Sequence, residues 1–298
     1  MEGAGRLEYA RGAVRMARPF VLLAGVLAYL VGLAYAWSRL GSIDAFAAGY
    51  GLLVLMTATM MGHYADEYAD LDTDTLTRRT WFSGGSGVLP EGRLPPRFAL
   101  HMALSMLLLT LLLAGVGWLW GMFTLDYLAL LALSLLLGWS YSMPPFRLER
   151  RGWGELDNAI LGGFSMVLAG YLPQAGDLDL EALMFCSPMF LVVLINLIPV
   201  HWSDREADRA VGKITLVVRL GQRASQLYLA LIASLYLLTL WLWPEVLPTE
   251  AAVPMMLTLP IALWSYLRFK KSGDEWTGSL LMGTFFLAAI VGLSLASL

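Results

Sequence analysis

The sequence predicts an all-α, polytopic membrane protein, and three observations carry that prediction. Of its 298 residues, 58% are hydrophobic and only 14% are charged, whereas a soluble domain carries about 25% charge. The apolar residues gather in runs of membrane-spanning length. The basic residues gather in alternate connections between those runs. A soluble protein of this size could bury a core but could not cover its surface with so few charges. The net charge of −3 is uninformative, because the charges are segregated along the chain. A lipid bilayer is the expected surrounding, and no nucleic-acid partner is expected.

A span needs roughly 17–25 mostly apolar residues. The N-terminal segment 1–19 carries Arg6, Arg11, Arg15 and Arg18. The run that follows, Phe20–Trp37, is longer than a secretory apolar region of about 7–15 residues. It therefore reads as a retained first span, and "AYA" at 34–36 is not expected to be a cleavage site. Further along, runs lie near 45–65, 98–120, 125–143, 158–174, 182–201, 225–243, 251–268 and 278–297, which with 20–38 makes nine. The fifth is short and Gly-rich. Pro188, Pro199, Pro254 and Pro260 lie in or near spans, where neighbouring helices can satisfy the freed carbonyls, so kinks are expected.

The cations test the count. The second-to-third connection holds Arg78, Arg79, Arg93 and Arg97, and the fourth-to-fifth holds Arg147, Arg150 and Arg151. Arg205, Arg209, Lys213, Arg219 and Arg223 follow the sixth span, and Arg268, Lys270 and Lys271 follow the eighth. Of the 20 Lys and Arg, only Arg39 falls in a connection of the other parity. With nine spans all the rest share one face, which the positive-inside rule makes cytoplasmic. The expected topology is N-terminus in and C-terminus out, with one domain over 1–298 in the cytoplasmic membrane. The long connections, 66–97 and 202–224, are then both cytoplasmic, and function is sought there. The single Cys186 lies in an apolar run, which leaves no disulfide framework and no Cys-based zinc site.

Two acidic clusters stand out. The stretch "GHYADEYADLDTD" (62–74) runs from the second span into Asp66, Glu67, Asp70, Asp72 and Asp74. "HWSDREADRAVGK" (201–213) likewise opens with Asp204, Glu206 and Asp208. Asp66, Asp70 and Asp74 are four apart, as are Asp204 and Asp208, so each set lies on one face if its helix continues. Like charges at that spacing destabilise a helix, and a helix C-terminus is already the negative end of its dipole. Something positive should offset them. All-oxygen ligands suit a hard ion such as Mg²⁺, which binds one or two carboxylates together with phosphate oxygens. Two facing clusters could hold Mg²⁺ ions with a diphosphate between them. Arg78, Arg79 and Lys213 follow the clusters and suit the same anion.

These residues resemble the UbiA superfamily of intramembrane prenyltransferases. The first family motif, Asn-Asp-x-x-Asp-x-x-x-Asp, is similar to "DEYADLDTD", with Asp66-Glu67 standing for Asn-Asp. The second, Asp-x-x-x-Asp followed by Gly-x-x-Thr, is similar to "DREAD" and "GKITL", which places Asp204, Asp208, Gly212, Lys213 and Thr215. "YSMPPFRLERRGWGE" (141–155) resembles the fourth-to-fifth loop of the menaquinone branch, and "ARPF" (17–20) its opening Arg-Pro. The resemblance implies a nine-helix bundle in which Asp66, Glu67, Asp70, Asp74, Asp204 and Asp208 hold Mg²⁺. Arg18, Arg78, Arg79, Arg147 and Lys213 would bind the diphosphate of a polyprenyl donor, and an electron-rich acceptor would attack the allylic cation left behind. The acceptor implied is 1,4-dihydroxy-2-naphthoate; a 4-hydroxybenzoate-like ring, a glyceryl phosphate or cyclisation of the prenyl chain are alternatives. Departures are plain: Pro145, not Lys, stands four after Tyr141, and His201 and Ser203 stand where the menaquinone branch carries Asn and Arg.

His63 and His201 each precede the leading Asp of a cluster by three residues, which suits an acceptor-activating base or plain hydrogen bonding. Tyr141, Ser142 and Asn196 complete the expected acceptor and cation pocket, and Trp139 could shield a cation with its π face. "WFSGGSGVLPEG" (81–92) reads as a lid or as a flexible connection. A cation channel is the competing class, and it would need acids along a path through the membrane.

Overall fold

The computed structural model describes residues 5–77, 79 and 84–298, and every regular element among them is helical. In order these are α1 (Arg6–Met16), α2 (Pro19–Leu40), α3 (Ala45–Ala69), α4 (Leu71–Leu76), α5 (Pro96–Leu119) and α6 (Leu125–Ser142). Then come a 3₁₀ turn (Leu148–Arg151), α7 (Gly154–Ile160), a π turn (Leu161–Ser165) and α8 (Met166–Ala175). The chain ends with α9 (Leu180–Ala210), α10 (Leu216–Leu220), a 3₁₀ turn (Gly221–Arg223), α11 (Ala224–Leu242), α12 (Thr249–Met256), α13 (Leu259–Ser272) and α14 (Trp276–Ala296).

Local chemistry sets the ends. Pro19 opens α2, where its missing N–H costs nothing, and Gly41 closes it at φ 70°. Asp44 caps α3 by accepting from the N–H groups of Phe46 and Ala47. Asp179 caps α9 by accepting from Ala182 N–H at 2.7 Å. Between α12 and α13 the helix breaks at Leu257–Thr258. Pro260 has no N–H to give Met256 and its ring crowds that carbonyl.

Among the described residues, eight helices or helix pairs are long and apolar enough to cross a membrane: α2, α3, α5, α6, α9, α10–α11, α12–α13 and α14. The remaining expected span, 158–174, lies in α7, the π turn and α8. That segment is helical from Gly154 to Ala175, but its α-helical pieces are short. At one end Glu155 meets His201 of α9; at the other Gln174 meets Asp44 ahead of α3. These contacts tie its two ends to the C-terminal part of α9 and to the start of α3. The π turn falls where Gly163 packs on α9: a Cβ there would lie 2.3 Å from Phe190 Cα.

The bundle closes through small residues, as helices do where lipid supplies no hydrophobic drive between them. A Cβ on Gly32 of α2 would lie 1.7 Å from the Val167 carbonyl oxygen, and one on Gly170 of α8 would lie 2.1 Å from that of Tyr29. The α2 and α8 backbones therefore touch. By contrast α5 shows Leu104, Leu108, Leu111, Leu112 and Leu119 on its surface, an outer face suited to lipid tails. At 31 residues α9 extends about 46 Å, against a hydrocarbon core of about 30 Å. Its C-terminal turns carry Asp204 and Asp208.

Candidate active site

The first acidic cluster sits on a helix that bends without breaking. Asp70 leaves helical geometry, yet its N–H still reaches Asp66 C=O at 2.9 Å, and Asp74 N–H reaches Asp70 C=O at 2.9 Å. The four-residue spacing therefore keeps Asp66, Asp70 and Asp74 on one side. The C-terminal end of α9 brings Asp204 and Asp208 to face them. All five carboxylates line one cavity of about 1020 Å³. Arg18, Arg79, Lys213, His63, Tyr141, Asn196 and His201 line it as well. Away from the charges its wall is mostly apolar, including Leu27, Leu55, Leu131, Met166, Leu197 and Phe286.

The cations are individually held. Arg18 precedes α2 in the left-handed region at φ 49°, a strained place for a side-chain-bearing residue. From there its guanidinium reaches Asp66 at 2.9 Å and Glu67 at 2.8 Å. Lys213 Nζ is buried 2.6 Å from Asp70 Oδ2 and 2.6 Å from Glu149 Oε2. Arg150 pairs with Asp72 at 2.6 Å, and Arg79 pairs with Glu91 at 2.9 Å. The histidines are fixed through Nδ1. His63 donates to the Ala17 carbonyl at 2.7 Å, and His201 sits 3.0 Å from Glu155 Oε1. Asn196 Oδ1 accepts from Ser279 at 2.8 Å.

Charge balance follows from this geometry. Burial alone would raise Asp70, but Lys213 and Arg150 outweigh it and hold the carboxyl below the usual range. Asp74 is pushed up to about 8, first by burial and then, against the pull of Arg18, by Asp66, Asp70 and Glu67. Burial and the neighbouring Asp70 and Asp66 push Glu149 well up despite Lys213. The site thus carries more carboxylate than its own cations neutralise.

Several expected residues stand elsewhere. Glu67, expected among the metal ligands, is not part of the cavity wall. Its fully buried carboxylate accepts from Arg18, from Ser86 N–H at 2.7 Å and from Ser86 Oγ at 2.6 Å. Arg147 is exposed at a left-handed turn (φ 46°), outside the wall. Ser142 is buried and not part of the wall, and Trp139 packs among buried apolar side chains. Arg78 lies outside the described residues. Of the stretch 81–92, Trp81, Phe82 and Ser83 lie outside the described residues; beyond them Val88 and Leu89 are buried together with Leu94, and Gly84, Gly85 and Ser86 form part of the cavity wall. Glu149 and Glu155, both 1% exposed, went unnoticed in the sequence. The available signal was two carboxylates inside an Arg-rich loop directly after Tyr-Ser-x-Pro-Pro.

The donor set fits a hard divalent cation. All the candidate ligands are carboxylate oxygens, and one oxygen each from Asp66, Asp70 and Glu149 can lie within 4.8 Å of one another. Oδ1 of Asp66 and of Asp70 are buried without a hydrogen-bond partner.

Comparison with known proteins gives a consistent assignment. The 2-carboxy-1,4-naphthoquinone phytyltransferase of Synechocystis is 35% identical over 113 residues, covering 38% of this chain and 37% of that protein. The protoheme IX farnesyltransferase of Pyrobaculum arsenaticum is 26% identical, covering 76% of this chain and 77% of that one. The 1,4-dihydroxy-2-naphthoate octaprenyltransferase of Bacillus subtilis is 24% identical, covering 81% and 75%. Among solved structures, a UbiA homolog from Archaeoglobus fulgidus bound to GPP and Mg²⁺ superposes with a TM-score of 0.71 at 18% identity, covering 95% of this chain and 99% of its own. The profile of the UbiA prenyltransferase family matches residues 25–290. The chain belongs to that family, and it is a prenyltransferase.

Proposed function

We propose that the chain transfers a polyprenyl group from a polyprenyl diphosphate to an aromatic acceptor, 1,4-dihydroxy-2-naphthoate before others, in a Mg²⁺-dependent reaction of menaquinone biosynthesis. One observation carries the reading. Two carboxylate clusters and four cations, Arg15, Arg18, Arg79 and Lys213, line a cavity whose remaining wall is largely apolar. That is the shape of an amphipathic substrate with a charged head and a hydrocarbon tail.

Asp66, Asp70, Asp74, Asp204 and Asp208 would hold Mg²⁺, which supplies positive charge to the diphosphate as it leaves. Arg18, Arg79 and Lys213 bind and orient the same phosphates. The apolar wall excludes water, which protects the allylic cation from hydrolysis, while preorganised charge at the mouth stabilises the departing anion. Tyr141 lines the cavity beside that mouth and can present its ring to the cation. His201, held by Glu155, is placed to take the proton that the acceptor ring loses. The molecule would act as one membrane domain, with connections 66–97 and 202–224 at the cytoplasmic face of the cell membrane.

Among the cavity-lining residues the carboxylates all lie at one end, which favours catalysis over a cation-conducting path. The naphthoquinone and naphthoate relatives favour a naphthoate acceptor. The protoheme relative matches about twice as much of this chain as the phytyltransferase does, so protoheme belongs in the same test. Purified protein is incubated with labelled geranylgeranyl diphosphate, Mg²⁺ and a panel of naphthoate, hydroxybenzoate, protoheme and glyceryl phosphate. Mass spectrometry then identifies the product. Naphthoate prenylation is expected, with Asp70→Asn and Asp204→Asn each slowing it by on the order of a hundredfold or more. Full turnover in both variants sinks the metal-site assignment, and a product on another acceptor replaces the naphthoate one.

A further inference from the structure

Glu149 belongs to neither acidic cluster, yet it reaches the first one. It sits in the 3₁₀ turn Leu148–Arg151, between left-handed residues Arg147 (φ 46°) and Gly152 (φ 82°). That double reversal sends neighbouring side chains different ways. Arg150 goes to Asp72, Arg151 to the Pro145 carbonyl, and Glu149 inward to 1% exposure. An isolated buried carboxylate is costly unless paired or bound to a metal. Glu149 meets only part of that requirement. Lys213 Nζ approaches Oε2 at 2.6 Å, while Oε1 is buried with no hydrogen-bond partner and the nearby Oδ1 of Asp70 has only Arg150, 3.7 Å away.

One ammonium thus bridges two of three clustered carboxylates: Asp70 and Glu149 are paired with it, and Asp66 completes the group within 4.8 Å. Of three oxygens on one octahedral Mg²⁺ at about 2.0–2.1 Å, at most one pair is trans, about 4.2 Å apart, and the others are cis, about 2.9 Å apart. Closing the set on an ion therefore needs contractions of up to about 1.9 Å, a distance that rotation of the three side chains can supply. Lys213 can leave readily. It has a flexible four-carbon stem, and it follows Gly212, whose backbone at φ 74° has open space where a Cβ would be.

We propose that Glu149 is a third carboxylate ligand of the first motif's metal, and that the Lys213 ammonium holds the ion's place in the metal-free protein. On metal binding the ammonium gives up Asp70 and Glu149 and turns to the diphosphate. The inference rests on the metal–diphosphate reading above and adds to it a ligand from the fourth-to-fifth loop. That loop would then be tied to the first motif through the bound ion as well as through Arg150.

The test measures Mn²⁺ binding to the full chain in lipid nanodiscs, without substrate, by calorimetry and by loss of the free-ion electron paramagnetic resonance signal. Glu149→Gln keeps the shape and removes the charge, and it is expected to weaken binding by on the order of ten- to a hundredfold. Lys213→Met removes the competing cation and is expected to tighten it; added inorganic diphosphate should then help the variant less than the parent. If Glu149→Gln leaves affinity unchanged while Asp70→Asn lowers it, Glu149 is only the counter-ion of Lys213 and the proposal fails. If Asp70→Asn and Asp204→Asn also leave it unchanged, the metal reading fails as well. Should Glu149→Gln not fold, Lys213→Met decides alone, and unchanged or weaker Mn²⁺ binding overturns the proposal.

Discussion

Asp74 shows how a motif residue takes its chemistry from its surroundings. The sequence places it on the same helical face as Asp66 and Asp70, and nothing in that spacing distinguishes it from them. In the fold it is half-buried against the Gly-rich stretch, close enough that a Cβ on Gly85 would lie 2.0 Å from its Oδ2. With its pKa pushed up to about 8, the metal-free protein keeps Asp74 protonated at neutral pH. A metal can take that carboxylate only when the proton leaves, so binding releases a proton. The sign follows: metal affinity is weak below about pH 8, rises as pH increases through it, and levels off above. Mn²⁺ titrations between pH 6 and 9 should show that rise, and Asp74→Asn should flatten it while lowering affinity throughout. An unchanged slope in the variant assigns the titration to another group. Glu149 illustrates the opposite case. One carboxylate among Arg147, Arg150 and Arg151 looks like part of a positive-inside loop. Only the left-handed turns on either side send it inward, and φ angles at such positions are not written in residue type.

At the scale of elements, the acidic helix ends were legible because a carboxylate every four residues has one geometric meaning on a helix. The role of Glu67 was not. The resemblance placed it with the metal ligands, but its partner Ser86 lies 19 residues further on, in a loop whose path depends on three left-handed glycines, Gly84, Gly85 and Gly87. Glu67 latches that loop to the end of α3 and steadies Arg18, while Asp66 beside it lines the cavity. A Glu rather than an Asp suits that role, because the extra methylene supplies reach. Hydrogen bonds to a charged group contribute about 1.5–3 kcal/mol. Glu67→Asp should therefore speed amide hydrogen exchange across 84–88 by roughly tenfold or more, with KM for the prenyl diphosphate rising more than kcat falls. A variant with parental exchange and a purely metal-dependent defect would return Glu67 to the ligand set.

For the whole molecule, the bilayer made most of the architecture readable, because it demands both length and apolarity of each crossing. It also explains Arg39, the one cation of the wrong parity. On the face opposite the site Arg39 binds Asp179 at 2.8 Å, Glu181 at 3.3 Å and the Tyr171 hydroxyl at 3.1 Å, so its charge is answered locally and does not contradict the positive-inside pattern. The segment where the count could go astray is Gly154–Ala175, whose glycines give close packing on α9 at the expense of a regular apolar helix. At 22 residues it extends about 33 Å, enough for the hydrocarbon core. Its ends contact His201 near the site and Asp44 on the far side. If it crosses, there are nine crossings and the termini lie on opposite faces; if it does not, both termini lie on one face. A C-terminal reporter active only outside the cytoplasm, paired with a cytoplasm-only reporter on the same end, separates the two. Activity of the external reporter is expected at Leu298, together with cytoplasmic reporter activity when the fusion point is moved back to the Lys270–Lys271 connection. Cytoplasmic activity at Leu298 with external activity at the Lys270–Lys271 connection would mean eight crossings instead. The two acidic clusters, then separated by the crossings α5, α6 and α9 alone, would end on opposite faces, against their shared cavity.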